Sequence, residues 1–188
     1  MSYIKHIEQF VPKNEQEAQD KKVILECVKL FPGNLLTRDN EIAHITSSGF
    51  IVNRALDKSL MAHHNIRNSW AWTGGHVDGN ENFLEVAIKE AFEETGVSVK
   101  PLSEEIASID ILNVTGHIKR RKYVNSHLHL SVAYILIADE NEASVINPDE
   151  NSAVEWFPAV KINGDLFSIR DIYLYNKLFE QAKLWMHG

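Results

Sequence analysis

Apolar positions recur with a helical period near both ends of the chain. Residues 14–31 follow this period, and Pro32-Gly33 stops it. Residues 168–186 follow it again, and their apolar positions are Ile172, Tyr175, Leu178, Phe179, Ala182 and Trp185. The pattern therefore predicts a helical lead-in and a closing amphipathic helix.

Stretches rich in β-branched residues predict strands between these two helices. Residues 44–53 and 58–64, with a turn near Asp57, are expected to form a β-hairpin. Further strands are expected at residues 97–100, 106–114 and 127–138. The last of these alternates in polarity and then becomes continuously apolar, which is typical of a central strand.

The middle of the chain combines a loop with a helix. The loop contains Gly74, Gly75 and Gly79. Residues 82–95 have a helical pattern, in which Asn82 and Glu85 resemble a capping box. Gly96 stands where the residue after a helix is often glycine. We therefore expect a loop, a helix and a second loop in this region.

Three glutamates on this helix have a spacing that suits a cation. Glu90, Glu93 and Glu94 stand at i, i+3 and i+4, so a helix brings their carboxylates to one edge. Like charges at this spacing destabilise a helix by about 0.2–0.5 kcal/mol per pair, and a divalent cation would reverse that effect. Mg²⁺ prefers oxygen ligands, and Mn²⁺ accepts them too. The alternative is a solvated helix face, with Glu85 and Lys89 forming an ordinary ion pair.

Composition limits the classes of protein that the chain can belong to. Its 188 residues are 44% hydrophobic, which suits one compact domain. No apolar run is long enough for a membrane span. The net charge of -7 would repel a nucleic acid polymer. Cys27 is the single cysteine, so we expect a packing role for it and a reducing, cytoplasmic setting.

A longer motif surrounds the three glutamates. Gly75 is followed after five residues by Glu81 and, after seven more, by Lys89-Glu90-Ala91-Phe92-Glu93-Glu94-Thr95-Gly96-Val97. This arrangement closely resembles the Nudix box, with Lys89 standing where the family has arginine. The resemblance extends from about His44 to the end of the chain. More narrowly, His44-Ile-Thr, the segment from Trp72 to Asp78 and His127-Leu-His-Leu resemble a bacterial Nudix subgroup.

The resemblance implies a fold and a reaction. The implied fold is an α/β/α sandwich around a mixed sheet. Residues 41–188 would form the Nudix hydrolase domain, with residues 1–40 as an N-terminal helical extension packed on it. The implied reaction is metal-dependent hydrolysis of a diphosphate linkage in a small nucleotide-like substrate, such as a nucleoside diphosphate linked to another group. A homodimer is one candidate for the oligomeric state.

The resemblance also implies a metal site within the box. Glu90, Glu93 and Glu94 would ligate the metal, and the carbonyl of Gly74 or Gly75 would be a further oxygen ligand. Such a metal would polarise the diphosphate and lower the pKa of an attacking water. The chemistry of the carboxylate cluster agrees with this assignment.

The general base and the role of Lys89 stay open at this point. Glu90 or Glu94 is the candidate base within the box, and the sequence does not choose between them. In the family the base sometimes lies outside the box, where Glu150 is a candidate; the alternative for Glu150 is an acidic turn. Lysine offers a point charge where arginine offers a planar fork, so Lys89 would orient Glu81 or a metal-ligating glutamate more loosely.

Histidine and tryptophan side chains near the box are candidate substrate contacts. His127 and His129 share one face of their predicted strand and either face the substrate cleft or serve as packing or surface histidines. His76 follows the box glycine, and Trp72 either stacks on a base or packs in the core. The histidines come from separate segments without a recognised ligand spacing, so the sequence does not establish an imidazole metal site.

Two other functions compete with hydrolysis. A non-catalytic module that binds a nucleotide or ADP-ribose is the first, but such modules often lose box carboxylates, and all four box glutamates are present. Isoprenoid diphosphate isomerisation is the second. It depends on a cysteine beside the box, where this chain has Thr73-Gly74-Gly75-His76.

Overall fold

A computed structural model describes residues 2–119 and 121–187. In this part of the chain the α-helices are α1 Tyr3–Gln9, α2 Glu15–Leu30, α3 Phe83–Thr95 and α4 Ile169–His187, and a short 3-10 helix spans Ala159–Lys161. The strands are β1 Ala43–Asn53, β2 Lys58–His64, β3 Ser69–Ala71, β4 Thr73–His76, β5 Lys100–Pro101, β6 Ser108–Val114, β7 His117–Lys119, β8 Lys122–Val124, β9 His127–Ala138 and β10 Asn151–Pro158.

Eight of these strands form a mixed sheet. Its central order is β10-β2-β1-β9-β5, while β3 pairs with β2, β4 with β1, and β6 with β9. Strands β1 and β9 are parallel, with Ala43 opposite Leu128 and Asn53 opposite Ala138, and the other pairs are antiparallel. The predicted hairpin is β1 and β2, and the predicted central strand is β9.

The two faces of the sheet are covered by different helices. Side chains alternate along β1, so Ile45 and Ile51 join a core with α1, α2 and α3. Phe50 and Val52 point the other way and pack with α4. The expected α/β/α sandwich is thereby confirmed. Among the described residues, no helix has the length and apolar character needed to cross a bilayer.

The N-terminal helices pack on the same face of the sheet as α3. The Asn14 side chain caps α2 by accepting a hydrogen bond from the Glu17 backbone N–H at 2.9 Å. The Glu17 carboxylate in turn accepts from the Ser108 hydroxyl at 3.1 Å, which ties α2 to β6. Cys27 is half-buried against this core, in the packing role expected of it. The domain boundary at residue 40 stays a prediction.

The strand expected at residues 97–100 is almost absent, because β5 comprises only Lys100–Pro101. The backbone N–H of Val97 donates to the Thr95 hydroxyl at 3.2 Å, and that of Ser98 donates to the Glu142 carboxylate at 3.0 Å. These amides are therefore bonded to side chains rather than to a neighbouring strand.

Candidate functional site

Local signals place α3 where the sequence predicts it. The Asn82 side chain accepts from the Glu85 backbone N–H at 3.3 Å, which caps the first turn. Gly96 has a φ of 69°, and its N–H donates to the Phe92 carbonyl at 2.8 Å. A glycine adopts this left-handed conformation without the steric cost that other residues meet. The helix therefore has defined ends.

Small residues let α3 approach the centre of the sheet. Ala87 and Ala91 are fully buried on its inner face. A Cβ at Gly49 of β1 would lie 3.3 Å from the Ala87 carbonyl, so the two backbones are close. The Ser47 hydroxyl donates to the Phe83 carbonyl at 2.6 Å and fixes the first turn against β1. This packing sets the rotation of the helix and hence the direction of each glutamate.

Glu94 is buried at the junction of α3 with β4. One carboxylate oxygen, Oε1, accepts from the Gly74 backbone N–H at 2.8 Å. The other, Oε2, is buried without a hydrogen-bond partner among the described residues. Burial raises the pKa of Glu94 to about 8, and the negative charges of Glu150 and Glu90 act in the same direction.

His64 lies beside this carboxylate without forming an ion pair at neutral pH. Its Nε2 lies 3.6 Å from Glu94 Oε2 and 3.3 Å from the Trp72 carbonyl oxygen. Burial lowers the pKa of His64 while it raises that of Glu94. Both groups are therefore neutral near pH 7, and Oε2 gains little from the imidazole.

Glu90 packs directly against the glycine loop. Its side chain is 18% exposed. A Cβ added at Gly75 would lie 2.5 Å from Glu90 Cδ, so any other residue here would displace this carboxylate from its present position. Burial raises the pKa of Glu90, and Lys89 partly opposes that rise. The loop glycines thus bring the β4 backbone into contact with two carboxylates.

Glu93 points away from the sheet toward Lys89. The Lys89 Nζ lies 2.7 Å from Glu93 Oε2 and 3.8 Å from Glu90 Oε1. The carboxylates of Glu90, Glu93 and Glu94 are consequently not gathered at metal-ligand spacing. Among the residues that the structure describes, three side chains do offer ligand atoms within 4.8 Å of one another. They are His44, His127 and His129.

The loop that carries Glu150 is fixed to α3. The Glu150 carboxylate is close enough to raise the pKa of both Glu94 and Glu90. The next residue, Asn151, is buried, and its amide donates to the Glu94 backbone carbonyl at 2.9 Å. Its side-chain oxygen accepts from the Asn147 N–H at 3.2 Å. An asparagine within a run of polar residues has no distinctive sequence signal, so the sequence does not reveal this anchor.

Arg38 adds positive charge at the rim of the carboxylate site. Its guanidinium forms two hydrogen bonds to the Asp78 carboxylate, at 2.9 and 2.6 Å. Burial raises the pKa of Glu90, and the charge of Arg38 opposes a small part of that rise. This arginine precedes β1 and lies 37 residues before Gly75 in the sequence, outside any motif.

The predicted histidines lie on the other face of the sheet, together with one that the sequence analysis does not select. His44 stands opposite His129 in the pairing of β1 with β9, and His76 stands opposite Thr46 in the pairing with β4. His127 and His129 share a face, as expected, and their Nε2 atoms lie 3.2 Å apart. Their roles as substrate contacts stay predictions.

Trp72 is buried beneath α4. Its backbone N–H donates to the Tyr175 hydroxyl at 3.2 Å, and the two rings lie 5.9 Å apart. The side chain belongs to the core between the sheet and α4. Stacking of Trp72 on a base stays a prediction.

Comparison with known proteins agrees with this architecture. A model of the NUDIX domain matches residues 43–177. The chain is 24% identical over 131 residues to the probable DHNTP pyrophosphohydrolase of Lactococcus lactis subsp. cremoris (strain MG1363), which covers 68% of this chain and 76% of that protein.

Solved structures give the same fold. A NUDIX-family hydrolase from Clostridium perfringens has a TM-score of 0.52 and 22% identity, covering 73% of this chain and 96% of that one. The MutT protein from Methanosarcina mazei Go1 has a TM-score of 0.53 and 20% identity, covering 79% of this chain and 99% of that one. The chain therefore belongs to the Nudix family, as its box predicts.

Proposed function

We propose that this Nudix enzyme is a metal-dependent pyrophosphohydrolase that cleaves a diphosphate linkage in a small nucleotide-like substrate. Membership of the family supports the reaction class. The name of the Lactococcus relative supports cleavage of a diphosphate linkage. The observation that carries the proposal is Glu94, whose buried carboxylate has one oxygen held by the Gly74 N–H and the other without a partner among the described residues.

The donor set fits a hard divalent cation such as Mg²⁺ or Mn²⁺. A buried carboxylate oxygen without a partner is costly, and a cation would satisfy it. Glu90, Glu94 and a carbonyl of Gly74 or Gly75 would hold the cation through oxygen atoms, which Mg²⁺ prefers. Glu93 would join them once its exposed side chain leaves Lys89. When bound, the cation neutralises charge on the phosphates and lowers the pKa of the attacking water.

Exposure separates the two candidate bases within the box. The Glu94 side chain is 2% exposed, and its Oε1 is already engaged by a backbone N–H. Glu90 is more open, at 18%, and can exchange a proton with solvent. We assign the proton-accepting role to Glu90 and an orienting role to Gly74. Glu150 is the second candidate base, because its charge acts on both carboxylates.

Basic side chains would supply further contacts to the phosphates, and contacts from the sheet face opposite α3 require a substrate long enough to reach that face. Arg38 and Lys89, which are 53% and 60% exposed, would attract phosphate oxygens. The predicted contacts of the rest of the substrate with Trp72, His76, His127 and His129 form part of this proposal. So do the cytoplasmic setting and the homodimer.

The test is hydrolysis of a panel of nucleoside triphosphates, dinucleoside polyphosphates and nucleotide sugars with Mg²⁺ or Mn²⁺. We expect cation-dependent release of phosphate or pyrophosphate from part of the panel. The value of kcat/KM should fall by at least about 100-fold in Glu93→Gln and Glu94→Gln, because charge stabilisation of this kind is worth several kcal/mol.

Glu85→Gln is the matched control, since this exposed glutamate lies on the same helix outside the cluster. It should retain wild-type turnover. Undiminished turnover in Glu93→Gln and Glu94→Gln would contradict the proposed site. Tight nucleotide binding without turnover in the wild type would instead favour a binding module.

A further inference from the structure

Four imidazole rings meet on the sheet face opposite α3. His44 comes from β1, His76 from β4, and His127 and His129 from β9. The distances between the ring centroids in contact lie between 4.8 and 5.1 Å. The parallel register of β1 and β9 is what brings His44 opposite His129. This group is separate from the carboxylates, which lie on the α3 face.

Three of these rings already present nitrogen atoms at close range. His44, His127 and His129 each offer a ring nitrogen, and these three atoms lie within 4.8 Å of one another. The Nε2 atoms of His127 and His129 are 3.2 Å apart, at hydrogen-bond distance, so a metal ion would take the place of the hydrogen that they share. Two nitrogens on one tetrahedral zinc ion are about 3.3 Å apart when each bond is about 2.0 Å long. Modest side-chain rotations therefore bring all three nitrogens to ligand distance.

Backbone carbonyls determine which nitrogen of the His44 and His127 rings carries the hydrogen. His44 Nδ1 lies 3.0 Å from the Asn40 carbonyl oxygen, and His127 Nδ1 lies 2.8 Å from the Asn125 carbonyl oxygen. A carbonyl only accepts, so each Nδ1 carries the hydrogen and each Nε2 has a lone pair. Metal-binding histidines are commonly oriented by such a bond from their second nitrogen.

His44 supplies an independent sign that a ligand belongs here. The residue is 4% exposed, and its Nε2 has no hydrogen-bond partner among the described residues. Buried polar atoms without a partner are rare, because they lose water without a replacement.

We propose that His44, His127 and His129 bind a transition-metal ion of the zinc class, at a site distinct from the oxygen-ligand site on α3. Imidazole nitrogen suits Zn²⁺, Co²⁺ and Ni²⁺, whereas Mg²⁺ prefers oxygen. Three protein ligands leave a fourth position for water or another group, as in zinc sites that remain accessible. His76 lies against His44 and His129, so its ring borders the same position.

The first test is a Co²⁺ titration of chelator-treated full-length protein, read by visible absorption. Four-coordinate Co²⁺ absorbs far more strongly than six-coordinate Co²⁺ bound by oxygen, so the two sites give different spectra. We expect the strong band to saturate at a single equivalent and to disappear when Zn²⁺ is added. Affinity should fall at least about 100-fold in His127→Gln and His129→Gln, more than the loss typical of changes to groups that only orient a ligand.

Two variants serve as controls, and circular dichroism checks the fold of each protein. His63→Gln removes a histidine of β2 whose Nδ1 contacts the Ser152 hydroxyl, outside the cluster. Glu93→Gln changes the carboxylate site. Both should keep the strong band. Absence of the band in the wild type, or its retention in both cluster variants, would overturn the proposal.

Zinc K-edge X-ray absorption of the wild type gives a measurement that does not depend on any variant folding. We expect three imidazole nitrogens at about 2.0 Å. A shell of oxygen atoms alone would refute the site. Neither readout depends on hydrolysis, so failure here is distinguishable from failure of the proposed function.

Discussion

Replacing Glu94 with glutamine separates the charge of this side chain from its hydrogen bond. The amide oxygen of the substituted glutamine can still accept from the Gly74 N–H, which lies 2.8 Å from Glu94 Oε1 in the wild type. The ionisable group is lost, and an amide NH2 takes the place of Oε2. We predict that, without metal, the stability of the Glu94→Gln variant relative to the wild type rises as the pH is raised from about 5 to 8.

The size of the effect follows from the pKa of Glu94, which burial raises from 4.5 to about 8. Below pH 4.5 the carboxyl is protonated in both the folded and the unfolded chain. Between pH 4.5 and 8 only the folded chain keeps the proton, so the free energy of unfolding falls by about 1.36 kcal/mol per pH unit. From about pH 5 to 7.5 the free energy of unfolding of the wild type therefore falls by about 3 kcal/mol because of Glu94. This corresponds to a decrease of about 6–12 °C in Tm for a chain of this size.

The assay is urea unfolding in chelator at several pH values between about 5 and 8, for the wild type and Glu94→Gln. Burial also lowers the pKa of His64, but this group is present in both proteins. Its contribution to the pH dependence of stability therefore cancels when the unfolding free energies of the two proteins are subtracted. Mg²⁺ should restore stability to the wild type at about pH 7.5 and have little effect on the variant. A difference that stays constant across this pH range would refute this account of the buried carboxylate.

Three further substitutions test other parts of the structure. Gly75→Ala puts a methyl group where the Glu90 carboxylate lies and so displaces that carboxylate, and kcat/KM should fall about 100-fold. Gly164→Ala is the control, because a Cβ at Gly164 meets open space, and it should match the wild type in the same assay. Asn151→Ala removes the buried hydrogen bond to the α3 backbone and should cost about 1–3 kcal/mol in urea unfolding. The Lys177 Nζ lies 3.2 Å from the buried carboxylate of Glu17 in α2 and 2.7 Å from that of Asp110 in β6. Lys177→Met leaves both carboxylates without this cation and should lower the free energy of unfolding by about 3–5 kcal/mol. An unchanged Tm would exclude a stabilising role for Lys177.

Features with local causes could be predicted from the sequence. Helix α3 has its cap at Asn82 and its left-handed glycine at Gly96 because both signals act within one turn of the chain. Strand β9 follows from its continuous apolar run. The box motif led to the family, and hence to the layers of the sandwich. Helix α1 was not predicted, because seven residues with two buried side chains carry little periodicity.

Features that depend on long-range pairing could not be predicted. His44 joins the histidine cluster only through the register of β1 with β9, and no spacing along the chain records that register. The rotation of α3 is likewise set by packing of Ala87 and Ala91 on β1. The spacing of the glutamates therefore indicated a shared edge, whereas Glu93 lies toward Lys89 and Glu94 lies inside.

The most direct test of the central claim is a titration with Mn²⁺ in the presence of an inert diphosphate. Electron paramagnetic resonance measures the concentration of free Mn²⁺ at each point. We predict that Glu94→Gln weakens binding by at least about tenfold, because the variant loses the carboxyl group that would ionise to bind the cation, while Glu85→Gln leaves the binding curve unchanged. Superimposable curves for the wild type and Glu94→Gln would contradict a cation site at the junction of α3 with β4.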